Sequence, residues 1–168
     1  FSEATVSGNQ NVGGIVGSNS SSSSNNPIKV IGCYSDGTFQ FGKMFDFGYF
    51  GGIFGQMSGD PSAIITNCWS SATIKIVSMD ESQPYTWGGI VGMSQDTHTI
   101  ASCYWSNAIL NWAGADNGCV AANCASFEGT MPTPEQLKEL NTGILASGLV
   151  FSEENGHLVK NNHTVVPP

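Results

Sequence analysis

The sequence predicts an all-β molecule: a parallel β-solenoid of three to four short coils, closed by a small C-terminal cap containing one helix. Three observations predict it. First, Gly13-Gly14-Ile15-Val16-Gly17 returns as Gly51-Gly52-Ile53-Phe54-Gly55 and as Gly88-Gly89-Ile90-Val91-Gly92. Second, Cys33-Tyr34-Ser35 returns as Cys68-Trp69-Ser70 and Cys103-Tyr104-Trp105, with the cysteines 35 residues apart both times. Third, the intervening apolar segments are short, β-branched or aromatic, and bounded by turn formers, with no helical spacing. A repeat of this length marks stacked supersecondary units, none of which buries its apolar face alone.

Counting from each cysteine gives the register. Three residues before it stand Val30, Ile65 and Ile100; one after it come Tyr34, Trp69 and Tyr104; six after it come Phe39, Ile74 and Ile109. Each unit thus holds about three strand-length segments: the glycine block, the cysteine segment and the segment with Phe39, Ile74 or Ile109. Equivalent strands of successive units are expected to pair in parallel, with right-handed connections. The spacers between segments vary, as loops leaving the stack sideways do. Ser18 to Asn26 is almost entirely Ser and Asn and reads as such a loop. The paired glycines imply a corner with positive φ or a close approach between coils.

Phe1-Ser2-Glu3-Ala4-Thr5-Val6 matches Trp69-Ser70-Ser71-Ala72-Thr73-Ile74, so the chain is expected to start inside a repeat and to be a piece of a longer protein with flanking domains. The repeats span 1–112, and a capping region spans 113–168. Within the cap, Thr133-Pro134-Glu135-Gln136 announces a helix near 134–141. Thr133 is its N-cap, Pro134 its first residue, Gln136 the capping-box partner and Gly143 the stop. Val150-Phe151-Ser152 and His157-Leu158-Val159 flank Asn155-Gly156, the signature of a tight hairpin.

Composition excludes several functions. With five lysines, no arginine and a net charge of −8, the chain has no cationic stripe for nucleic acid or anionic lipid. No apolar run approaches a membrane span, so no membrane insertion is expected within this chain. Charged residues make up only 11 % of the sequence, and Gly, Ser, Asn and Thr supply the polar surface instead.

The spelling Gly-Gly-Ile-Val-Gly with Cys-Tyr-Ser downstream resembles the GLUG-motif repeat family over roughly residues 1–110, with both halves of the motif present in the second and third units. The resemblance implies a β-helical stalk or ligand-presenting region of a secreted or cell-surface bacterial protein, adhesin-like and non-catalytic. Glycans and host surface proteins are the partners it implies. Trp105 departs from the family's serine and is expected to mark the edge of the array. Metallopeptidase members carry their zinc in another domain, so that activity does not transfer to this chain.

Chemistry-bearing residues are sparse. Cys33, Cys68 and Cys103 share one repeat position and are expected to form a ladder of small buried side chains, whose parallel vectors suit a disulfide poorly. Cys119 and Cys124 are the better disulfide pair. His98, His157 and His163 form no metal-binding pattern, and solvated loop histidines are the expectation. Asp36, Asp60, Asp80 and Asp96 read as turn residues. No catalytic residue, metal or cofactor is therefore assigned. The rival reading is a carbohydrate-active enzyme of the parallel β-helix type, a polysaccharide lyase or hydrolase. A lyase needs a basic cation, and a hydrolase needs two carboxylates facing across a cleft.

The candidate binding residues are Tyr34, Trp69 and Tyr104. They directly follow the cysteines, so inward cysteines put the rings on the outer face, where a ladder of rings would stack on sugars or anchor a protein. Phe45, Phe47, Tyr49, Phe50, Tyr85 and Trp87 are expected to build a second apolar patch.

Overall fold

The computed structural model describes residues 5–8, 10–19, 28–41, 48–58, 63–76, 85–94, 98–106, 125–127, 132–144, 149–154 and 157–162. These residues are mostly strand, with parallel sheets and one helix. Ahead of the first unit lies β1 (Thr5–Gly8). The first unit holds β2 (Asn11–Gly13), β3 (Val16–Asn19), β4 (Lys29–Ile31), β5 (Tyr34–Ser35) and β6 (Thr38–Phe41). The second holds β7 (Gly48–Gly51), β8 (Phe54–Met57), β9 (Ile64–Thr66), β10 (Trp69–Ser70) and β11 (Thr73–Ile76). The third holds β12 (Tyr85–Gly88), β13 (Val91–Met93), β14 (Thr99–Ala101) and β15 (Tyr104–Ser106). The chain continues with β16 (Ala125–Phe127), α1 (Pro134–Ile144), β17 (Leu149–Glu154) and β18 (His157–Asn162).

Each strand pairs with its counterpart one unit away, always in parallel. The sheets are β2-β7-β12, β3-β8-β13, β4-β9-β14, β5-β10-β15-β16 and β1-β6-β11. The register is the one the repeat spelling dictates: Val30↔Ile65↔Ile100, Tyr34↔Trp69↔Tyr104 and Val6↔Phe39↔Ile74. The glycine corners are tied together as well. Ile15 N–H donates to the Ile53 carbonyl at 3.0 Å, and Ile53 N–H donates to the Ile90 carbonyl at 2.9 Å.

Among the described residues the first two units hold five strands and the third four, in place of the expected three, because the glycine and cysteine segments each break at a corner. The residue before each cysteine has left-handed backbone: Gly32 (φ 60°), Asn67 (φ 55°) and Ser102 (φ 50°). Glycine adopts this region freely and asparagine tolerates it, while serine does so at a cost. The corner separates β4 from β5 and repeats at the same place in the next two units. The glycine pairs act by close approach. A β-carbon at Gly52 would lie 2.1 Å from the Gly89 carbonyl oxygen, and one at Gly89 would lie 2.0 Å from the Trp105 ring.

The main core lies inside the repeats, where Ile53, Phe54, Met57, Ala63, Ile65, Cys68 and Cys103 are fully buried. Phe50 is buried too, at 1 % exposure, so it fills the interior instead of a surface patch; Phe45 and Phe47 lie outside the described residues. Burying this much aliphatic and aromatic surface, at roughly 25 cal/mol per Å², is the main force holding the units together.

The cap follows its sequence signals at one end and departs from them at the other. Thr133 N–H donates to Gln136 Oε1 (3.0 Å) and Gln136 N–H donates to Thr133 Oγ1 (3.3 Å), a reciprocal capping box. The helix does not stop near residue 141 but runs through Gly143 to Ile144. Ile144 is 3 % exposed and packs with the second core cluster, so tertiary burial overrides the glycine stop signal. β17 and β18 pair antiparallel with Glu154 opposite His157; Asn155-Gly156 lie outside the described residues. β16 adds Ala125–Phe127 to the third unit's Tyr104–Ser106, an element the repeat spelling did not announce.

Candidate functional site

The cysteine segment alternates as a strand must, and its two faces meet different surroundings. Cys68 and Cys103 face the inner core, where their thiols donate to carbonyls of the preceding unit: Cys68 Sγ to Val30 O at 3.5 Å and Cys103 Sγ to Ile65 O at 3.8 Å. Cys33, Cys68 and Cys103 are unbridged. Burial pushes the pKa of the Cys68 thiol far up, so it stays a neutral small side chain. Cys119 and Cys124 lie outside the described residues.

The aromatic column does point away from the cysteines, but it is not exposed. Tyr34, Trp69 and Tyr104 are 2 %, 0 % and 4 % exposed. They form a second core with Leu140, Ile144 and Phe151, flanked by Leu137. Tyr34 meets Phe151 edge-on, with ring centroids 5.8 Å apart. The expected exposed ring ladder is therefore corrected: the C-terminal helix and β17 cover it, packing Leu140, Ile144 and Phe151 against the rings and removing their apolar surface from water. This face belongs to the fold, not to an open ligand platform.

The side of α1 that meets the units uses its residues in turn. Leu137, Leu140 and Ile144 follow a three- and four-residue spacing and rest on the rings. Ile144 covers Gly32, where a β-carbon would lie 2.4 Å from Ile144 Cγ2. Glu139 is the polar anchor. Its carboxylate accepts hydrogen bonds from the Tyr104 hydroxyl and from Ser102 Oγ, the latter at 3.1 Å. Its backbone carbonyl accepts from Asn67 Nδ2 at 3.3 Å. Burial first, then the bond to Glu139 and its negative charge, raise the Tyr104 phenol pKa well above its usual value. Asn141 ties the helix to β17, accepting from Phe151 N–H (2.6 Å) and donating to the Phe151 carbonyl (3.0 Å).

Between α1 and the corner column lies an open groove of about 490 Å³, lined by Asn67, Ser102, Glu135, Lys138, Glu139 and Thr142. Its lining offers two carboxylates, one ammonium, an amide and two hydroxyls, which suits hydrogen bonding to a polar ligand. The sequence reading missed this groove. The signal was present in the helix, where Glu135, Lys138, Glu139 and Thr142 recur at three- and four-residue spacing.

His98 also departs from expectation. It is half-buried, and its Nδ1 accepts a hydrogen bond from Ala63 N–H of the preceding unit at 2.8 Å. Desolvation lowers its pKa, which favours the neutral ring this bond requires. Among the described residues, no group of three or more His, Cys, Asp or Glu is placed to hold a metal ion, and no helix is long and apolar enough to cross a membrane. Asp60, Asp80, Asp96 and His163 lie outside the described residues.

No protein-family model, curated protein or solved structure matches this chain.

Proposed function

We propose that this chain is a parallel β-solenoid segment of a secreted or cell-surface bacterial protein, adhesin-like and non-enzymatic, serving as a stalk with a glycan- or protein-binding surface. The observation that carries it is the in-register parallel pairing of five equivalent strands from unit to unit. On this reading each unit is a coil and the stack a stiff rod, a good way to hold a surface away from its attachment. Resemblance to the GLUG-motif repeats supports the secreted or surface setting, and the acidic, Ser-, Asn- and Gly-rich composition is compatible with it.

The binding surface on this reading is the groove along α1, since the rings are covered. Its carboxylates and hydroxyls recognise sugar hydroxyls or polar groups of a host surface protein. The test is a glycan array and a panel of host surface proteins, probed with the chain and with Glu135→Ala/Thr142→Ala. Both substituted side chains lie at the helix surface, so the fold is expected to hold while binding falls. Binding that is indifferent to the double variant removes the groove. Turnover of any polysaccharide in a parallel panel replaces the non-enzymatic reading with the carbohydrate-active one.

A further inference from the structure

We propose that the N-terminal face of the first coil is a docking surface seating one further coil of this repeat, the coil of which β1 is the last strand. The proposal rests on the stacked-coil reading given under Proposed function. It starts from a glycine that the described residues leave without a reason.

The closing glycines of the three pentapeptides are Gly17, Gly55 and Gly92. A β-carbon at Gly92 would lie 2.4 Å from Phe50 N and 2.6 Å from Gly55 O, both in the coil before it. A β-carbon at Gly55 would lie 2.5 Å from Gly17 O and 2.7 Å from Val12 N, again in the coil before it. These two glycines are required because the preceding backbone presses on them. Gly17 is spelled identically, yet among the described residues a β-carbon there meets only Asn11 O of its own coil, at 3.1 Å. Glycine weakens a strand by its entropy and its missing side chain. At Gly17 the glycine fits a backbone pressing from the N-terminal side, as at the other two.

Burial shows the same asymmetry at the glycine-block and cysteine positions, though Val12, Val30 and Tyr34 of the first coil are buried. Ile53 and Ile90 are 0 % and 2 % exposed, Phe54 and Val91 likewise 0 % and 2 %, and Cys68 and Cys103 both 0 %. Their first-coil counterparts Ile15, Val16 and Cys33 are only partly buried. In the third coil Ile90, Val91 and Cys103 are buried although β12, β13 and β14 are, like β2, β3 and β4, the last described strands of their sheets, and β16 extends the β15 column alone. Among the described residues β2, β3, β4 and β5 are all sheet edges, and each is a template for a parallel strand. In the remaining column that rung is filled: β1 pairs with β6 in the same register that β11 uses, Gly8 and Ile76 both opposite Phe41. The strand already in place fixes the direction and register of the coil that would occupy the rest.

The test is a chimera in which residues 42–76 replace residues 1–8, so that a second copy of β11 enters where β1 stands. Three quantities are read in the natural chain and the chimera: alkylation of Cys33 mapped by mass spectrometry, and the melting temperatures of Gly17→Ala and Gly55→Ala. The expected result is that Cys33 alkylation slows about tenfold or more in the chimera as opening of the new coil becomes necessary. Gly17→Ala, tolerated in the natural chain, is then expected to lower the chimera's melting temperature about as much as Gly55→Ala does. Unchanged Cys33 reactivity, a tolerated Gly17→Ala in the chimera, or a chimera without a cooperative transition overturns the proposal. So does concentration-dependent protection of Cys33 in the natural chain, which would assign the face to a second copy. The two readings fail separately. A harmless Gly55→Ala in the natural chain defeats the stacked-coil reading itself, whereas a damaging Gly55→Ala beside a harmless Gly17→Ala in the chimera defeats only the docking surface.

Discussion

Trp69→Ala distinguishes a structural ring column from a ligand platform. Trp69 is 0 % exposed, with Tyr34 and Tyr104 on either side and the helix residues Leu140 and Ile144 in the same cluster. An aromatic side chain of this kind buries about 150–250 Å². At about 25 cal/mol per Å², the transfer contribution is roughly 4–6 kcal/mol, and measured Trp→Ala costs in cores run about 3–5 kcal/mol. The lower figures apply if the helix settles into the space. For a chain of this size each kcal/mol moves the midpoint by about 2–4 °C, so a loss of about 4 kcal/mol lowers Tm by roughly 8–16 °C. The assay is urea and thermal unfolding, with Ile31→Ala as the control. Ile31 is 43 % exposed and its truncation is expected to stay within about 0.5 kcal/mol. Amide exchange in α1 should accelerate in Trp69→Ala, because the helix loses its floor. A Trp69→Ala cost below about 1 kcal/mol, close to that of the control, would mean that the ring column does not hold the helix to the units.

Two further outcomes follow from the polar contacts. Glu139→Gln leaves only one acceptor for the Tyr104 and Ser102 hydroxyls and should cost about 1.5–3 kcal/mol by urea unfolding; stability equal to wild type would mean that apolar contacts alone hold α1. His98 has a folded pKa below the ordinary 6.5, so the unfolded chain binds the extra proton first as pH falls. Its contribution is therefore complete above about pH 6.5 and declines as the pH drops toward the folded pKa. His98→Gln should flatten that part of the stability–pH curve, and an unchanged slope would show that other groups set it.

Much of the fold was legible because repeat position and strand register are the same quantity. Once Val30, Ile65 and Ile100 are aligned in sequence, parallel pairing puts them side by side. The capping box at Thr133 and the antiparallel pairing of β17 with β18 were legible for a different reason: both are local and depend on residues within a few positions. The corners were half legible. Gly32, Asn67 and Ser102 share a position, but a serine there does not advertise a left-handed backbone. What covers the rings was not legible, since alternation assigns Tyr34, Trp69 and Tyr104 to a face and says nothing of an element arriving some thirty residues after Tyr104. The bond from Tyr104 to Glu139 is of that long-range kind. β16 was missed because its echo is weak. Cys124-Ala125-Ser126 repeats the cysteine spelling with alanine in the aromatic place, and it comes 21 residues after Cys103 instead of 35.

Equivalent strands of successive units lie side by side, and proton–proton contacts in solution read this directly. Neighbouring strands at about 4.8 Å bring their backbone protons within range of nuclear Overhauser effects. The prediction is a ladder of such effects linking Lys29–Ile31 to Ile64–Thr66 and those in turn to Thr99–Ala101, in parallel register. Effects that instead join each segment to its immediate neighbour in antiparallel hairpins would contradict it.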